Sequence, residues 1–182
     1  MKTRYLASLL VVGLVLGSIV IPKSAYSQRA SANNNDIAID FINFLVNNTF
    51  TAQYEFKSTP TSSFLLRAQY VSISNNAESG VTSAFGAGLG WRFYILDNRA
   101  LSGLSIAPVV DLFFFKNNTL GKSNVVFSLG ADAAYKFFFG QFTIEPTLGA
   151  RNGFVPSNDI APGENTFSGI YPVVAIYLGY AW

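Results

Sequence analysis

The chain has 182 residues, half of them hydrophobic, 15% aromatic and only 12% charged, with no cysteine and no histidine. That length suits one domain, and a chain so rich in aromatics and poor in charge is not a disordered one. Without Cys or His there is no disulfide, no thiolate or imidazole metal ligand, no cysteine nucleophile and no Ser-His-Asp triad, so a non-enzymatic protein without a cofactor is expected.

The first 27 residues read as an address. Lys2 and Arg4 precede an apolar run from Tyr5 to Ile21, Pro22 ends it, and Ala25-Tyr26-Ser27 offers small residues for cleavage after Ser27. This is the layout of a secretory signal peptide, and the run is short for the roughly 20 residues a membrane helix needs. Removal takes Lys2, Arg4 and Lys23, leaving nine basic against ten acidic residues; the nominally basic chain therefore gives no support for nucleic-acid binding. Residues 28–35 read as a flexible lead-in and 36–182 as the folded domain.

From Asp36 onward, eight strand-like runs alternate with turn clusters: 36–46, 49–57, 63–74, 83–96, 103–116, 125–139, 142–151 and 170–182. In the fourth, Phe85, Ala87, Leu89, Trp91, Phe93 and Ile95 oppose Ala84, Gly86, Gly88, Gly90, Arg92 and Tyr94. In the seventh, Phe142, Ile144, Pro146, Leu148 and Ala150 oppose Thr143, Glu145, Thr147, Gly149 and Arg151. The charges inside the runs are Asp40, Glu55, Lys57, Arg67, Arg92, Asp111, Asp132, Lys136, Glu145 and Arg151. All lie opposite the large apolar side chains, five acids with five bases, and only Lys116 breaks the phase.

The expectation is an all-β, eight-stranded antiparallel up-and-down barrel spanning a bacterial outer membrane, its charges paired in a narrow, filled lumen. An Arg or Lys facing mid-bilayer lipid costs about 2–4 kcal/mol, which explains the empty apolar face. A soluble barrel would carry the same alternation inverted. Three asymmetries favour the membrane. The charged face is crowded with Gly and Ala. Aromatics gather at one end of the runs, at Phe56, Phe64, Phe93, Phe137, Phe139, Phe142, Tyr180 and Trp182, as in an interfacial girdle. With a periplasmic N-terminus, the periplasmic connections 58–62, 97–102 and 140–141 are short, whereas three of the four outer ones (75–82, 117–124 and 152–169) are long. The first outer connection, 47–48, departs from that rule.

The last strand ends on Trp182, and Val174, Ile176, Leu178 and Tyr180 share its face. This resembles the terminal signal by which outer-membrane barrels are handed to their assembly machinery. Further stretches carry a likeness: Phe85-Gly86-Ala87-Gly88-Leu89-Gly90-Trp91-Arg92-Phe93-Tyr94, Leu101 to Pro108, Leu129-Gly130 through Tyr135-Lys136, Phe142 to Pro146 with Leu148-Gly149, Gln53-Tyr54-Glu55 and Leu178-Gly179-Tyr180. In these the chain resembles a family of small, functionally uncharacterised bacterial outer-membrane barrels. The resemblance implies fold and location and brings no catalytic or binding residues.

Other motifs read more plainly as structure. Gly86-x-Gly88-x-Gly90 lacks the strand-turn-helix setting of a nucleotide loop and is expected to make room for Arg67, Arg92 or Tyr94. Asp111, Asp132 and Glu145 are expected to pair with Arg67, Arg92, Lys136 and Arg151 rather than act as acid and base. Asp97, Asp159 and Glu164 match no metal loop. An eight-stranded barrel is filled by its own side chains, so envelope structure or surface contact through loops 117–124 and 152–169 is the expected role, with outer-membrane lipids and the assembly machinery as partners. Two alternatives stand: a site or conduit for a small apolar molecule lined by Phe113 and Phe115, and a lipid-modifying enzyme with a carboxylate or Lys base.

Overall fold

The computed structural model describes residues 33–74, 81–95, 100–117, 123–155 and 167–182. The signal peptide, most of the lead-in, Asp97, Asp159, Glu164 and most of the three long outer loops lie outside these residues. Within them the period-two runs close on one another. Strands β1 (Asn35–Asp40), β2 (Thr49–Thr59), β3 (Ser62–Ser74), β4 (Val81–Tyr94), β5 (Gly103–Asn117), β6 (Ser123–Phe139), β7 (Phe142–Phe154) and β8 (Gly169–Ala181) pair antiparallel in chain order. The pairing of β1 with β8, from Asp36↔Ala181 to Asp40↔Tyr177, seals the barrel.

Parity decides what faces where, because successive strand residues point to opposite sides of the sheet. Gln53, Glu55, Arg67, Arg92, Asp111, Asp132, Lys136, Glu145 and Arg151 are buried inside the barrel, while Ile37, Leu66, Phe85, Leu89, Trp91, Ile106, Phe114 and Leu129 are exposed outside. Lys116, the out-of-phase charge, faces outward. The glycines of β4 make room for Arg67, as expected, whose Cβ lies 3.3 Å from a Cβ built at Gly88, and for neighbours not expected. A Cβ at Gly86 would come within 2.5 Å of the Phe113 ring, one at Gly88 would collide with the Asp111 carboxylate, and one at Gly90 would meet Val109 at 2.9 Å.

The first run does not form one strand. β1 stops at Asp40, and residues expected to continue it form a helix, α1 (Phe41–Asn47). The Asp40 carboxylate accepts from the Asn43 N–H (3.2 Å), satisfying a donor that the first helical turn leaves open, and Asn48 closes the other end in a left-handed conformation (φ 49°). The apolar residues of Phe-Ile-Asn-Phe-Leu-Val-Asn fit period two through Ile42, Phe44 and Val46, and helical spacing through Phe41, Phe44 and Leu45. So short an apolar run cannot separate the two by periodicity; the cap decides. The other strands differ from expectation only in length, β7 continuing to Phe154 where it pairs with Phe127.

The end carrying the tight turns is closed. Trp182 exchanges backbone bonds with Asn35 (3.0 Å each way), and Ala100 donates to Pro60 O (2.6 Å). Leu101, held at φ 72°, is fully buried against Phe138 and Ala181. Asp40→Ala removes the cap of α1 and is expected to destabilise the folded barrel by about 1 kcal/mol, read as a lower urea midpoint; a midpoint equal to that of the unsubstituted protein would show that α1 does not depend on it.

Candidate functional site

The lower half of the interior is one ionic cluster assembled from five strands. Arg92 on β4 forks onto Glu145 of β7, Nη1 to Oε2 and Nη2 to Oε1 at 2.7 Å each, and Nη1 also reaches Glu55 Oε2 of β2 at 2.8 Å. Lys136 on β6 donates to Glu55 (2.5 Å), lies 3.1 Å from Glu145 and bonds Asp36 of β1. Three acids here face two bases. Neutral donors offset the excess: Tyr94 Oη and Ser63 Oγ both donate to Glu55, Thr143 to Asp36 (3.1 Å) and Thr147 to Glu145 (3.4 Å).

Asp36, Glu55 and Glu145 place one oxygen each within 4.8 Å of one another, a spacing that would admit a metal ion. Their common focus, however, is the Lys136 ammonium, whose three N–H donors answer three carboxylates. The set is chemically a lysine cage.

Above it lies a second cluster. Arg67 Nη2 bonds Asp132 (2.6 Å), Arg151 grips both Asp132 oxygens (2.7 and 2.9 Å) and its Nε reaches Asp111 (2.9 Å), while Gln69 donates to Asp111 (3.0 Å) and Arg67 Nε to Gln53 (3.2 Å). Two bases meet two acids. Asp111, Asp132 and Glu145 thus lie in two separate groups, each tied to arginine.

Two of the ten charges singled out in the sequence behave differently. Asp40 is buried, but its partners are Asn43 and backbone amides at the head of α1 rather than a base. Lys57 is half-buried at the turn end, where its backbone N–H bonds Asn34 O (2.8 Å). Asp36, outside that set, belongs to the lower cluster. It shares parity with Ala38 and Asp40, and that signal was present in the sequence.

Outside, at the turn end, aromatic rings form a continuous chain over β4, β3, β2, β8 and β7. It runs Phe93, Trp91, Phe64, Phe56, Tyr54, Trp182, Tyr180 and Phe142, with neighbouring centroids 5.2–6.3 Å apart. Tyr54 and Trp91 join the expected set, while Phe137 packs on Tyr135 at 4.6 Å. On β8, Leu178, Tyr180 and Trp182 are exposed, Val174 and Ile176 half-buried.

At the opposite end the interior opens into a cavity of about 580 Å³ over the upper cluster. Arg67, Asp111 and Arg151 form its base; Val71, Phe113 and Phe167 form an apolar wall. Phe113, Phe115 and Phe167 pack as a trio with centroids 5.3–6.1 Å apart. Of the two phenylalanines singled out from the sequence, Phe113 lines this cavity, whereas Phe115 packs in the apolar cluster behind it with Val71, Ala84 and Val126. The volume lies within the roughly 300–1,000 Å³ range of small-molecule pockets.

No family model, curated protein or solved structure matches this sequence. The interior itself makes a test available. Arg92→Met leaves Glu55 and Glu145 buried without their guanidinium and is expected to cost about 3–5 kcal/mol, measured by urea unfolding, with Arg92→Met/Glu145→Met recovering part of it. If the single variant unfolded no sooner than Lys57→Met, the cluster would not hold the strands together.

Proposed function

We propose that the chain is a non-enzymatic β-barrel of a bacterial outer membrane, secreted behind a cleaved signal peptide and belonging with the small uncharacterised barrels that its motifs resemble. It serves envelope structure, or surface contact through the loops at the α1 end. The observation that carries this reading is the inverted barrel: ions paired inside, and a continuous apolar surface outside. In water, an exterior on which Phe85 and Phe142 are each 66% exposed and Ile170 83% would be a strong drive to aggregate. In lipid it is simply solvated.

Closure supports the same reading, since a bilayer offers backbone groups no water and admits sheets only as barrels without edges. The chain of rings at the turn end has the character of an interfacial girdle, which supports a periplasmic position for that end. The side chain of Trp182 sits in this girdle, against Tyr54 and Tyr180.

A diffusion channel is disfavoured because the Arg92–Glu145–Lys136 cluster and buried Leu101 lie across the lumen below the cavity. The cavity therefore supports, as a second reading, a blind cup for a small molecule rather than a conduit.

Mature protein refolded in detergent is expected to resist SDS when unboiled and to change gel mobility on heating. Leu89→Arg, at an exposed mid-strand position on β4, is expected to lower stability in phosphatidylcholine vesicles by about 2–4 kcal/mol, against little change for Leu89→Phe. Identical mobility with and without boiling, together with solubility in plain buffer, would replace this reading with a secreted soluble barrel.

A further inference from the structure

The barrel wall is incomplete as a ladder on one side. β1 ends at Asp40, opposite Tyr177, and its last partner on β2 is Ala52. Beyond those rungs the remaining stretch of β8, from Ile176 back to Gly169, pairs only with β7, and Thr49 to Thr51 of β2 pair only with β3. α1 stands in the interval. It is held by its Asp40 cap and by Asn43 Nδ2 donating to Val174 O (2.8 Å) across the gap.

The edge of β8 that faces this interval is engaged by α1 and its cap. The Val174 carbonyl is taken by Asn43 and the Ile176 N–H by Asp40. Pro172, the next residue of the same parity, has no N–H to leave open. These substitutions dispose of edge groups that would otherwise recruit another strand. α1 thus occupies the interval and bonds the edge of β8 at two points.

The cavity reaches this gap. Its lining includes Pro172 and Val174, which share the outward parity of Ile176, Leu178 and Tyr180, together with Val46 and Asn43 of α1. Residues from both sides of the seam, Asn43 and Val46 on α1 and Pro172 to Val174 on β8, therefore border the cavity. On the other side of α1, Phe41, Phe44 and Leu45 are 45–62% exposed and continue the apolar outer surface.

We propose that the interval between α1 and β8 is a lateral portal through which an acyl chain of a surrounding membrane lipid enters the cavity. The inference rests on the membrane reading above and assigns the occupant of the cup. The apolar wall of Val71, Phe113 and Phe167 receives the chain. Asp40, Asp111, Arg67 and Arg151 in the lining balance in charge, which suits a lipid that is neutral or zwitterionic overall and gives a free anion no net attraction. The gated face is apolar on the side that meets lipid, which fixes the direction of approach.

The test uses Phe113→Trp, with Phe167→Trp as a second reporter, in a Trp91→Phe/Trp182→Phe background. The barrel is folded into phosphatidylcholine vesicles whose acyl chains carry bromine, a contact quencher of indole. Expected is loss of the interior Trp fluorescence as complete as that of outward-facing Trp91 in the unsubstituted chain. That loss should disappear when Asn43→Cys/Val174→Cys is oxidised, the chain having no other cysteine, and also in Val174→Arg, which sets a charge in the portal. A heat-modifiable, inserted barrel whose interior Trp stays bright would overturn the portal while leaving the membrane reading intact. So would quenching that persists unchanged in the oxidised and Val174→Arg forms, or quenching by a water-soluble brominated amphiphile but not by the bilayer. Failure to insert at all would remove the membrane reading and the portal together.

Discussion

The fold depends on ionised side chains being confined to a space from which water is excluded. Glu55, Glu145, Arg92 and Lys136 are each almost fully buried, and in such a medium an unpaired charge would cost several kcal/mol. They are tolerable only because each reaches partners on other strands. Removing one partner therefore strands the rest, and the cluster ties β1, β2, β4, β6 and β7 into one cooperative unit. An ordinary soluble domain would assign that task to an apolar core; here apolar residues occupy the outer surface and cannot do it.

Two consequences follow from a polar core. Space inside an eight-stranded barrel is small, and glycines make room for its ionic side chains: Gly88 for Asp111, Gly130 for Arg151 and Gly149 for Asp132. The second consequence is that the lumen cannot be both stable and open. Guanidinium forks and a three-carboxylate lysine cage fill its lower half, and a cavity lies above Arg67, Asp111 and Arg151, beyond the end of β1.

That ending gives the molecule its asymmetry. One acid, Asp40, turns a strand into a helix and so trades a row of sheet bonds for a seam. The turn end carries the ring chain, buried Leu101 and the paired backbones of Asn35 and Trp182. The α1 end carries the cavity, the edge of β8 that α1 engages and the long connections. Any exchange with the surroundings falls to that end, and the charge-balanced, half-apolar lining there sets the chemistry of what it can hold.

Most of the architecture was legible in the sequence, because period two with every long apolar residue on one parity and nearly every charge on the other leaves few ways to build a sheet. The strand number, the antiparallel order and the membership of Glu55, Arg67, Arg92, Asp111, Asp132, Lys136, Glu145 and Arg151 in one face follow from that alternation. Alternation is symmetric, however, and does not say which face is inside; only closure, placing those side chains within contact distance across the barrel, decides it. The helix at Phe41–Asn47 escaped because its apolar residues satisfy both periods and the deciding bond, Asp40 to the Asn43 amide, is a matter of three-dimensional geometry. The grouping of charges also lay beyond the sequence: Asp36 with Lys136 and Arg67 with Asp132 are separated by 100 and 65 positions. Strand tilt and stagger set their heights in the barrel, and these are properties of the closed sheet as a whole.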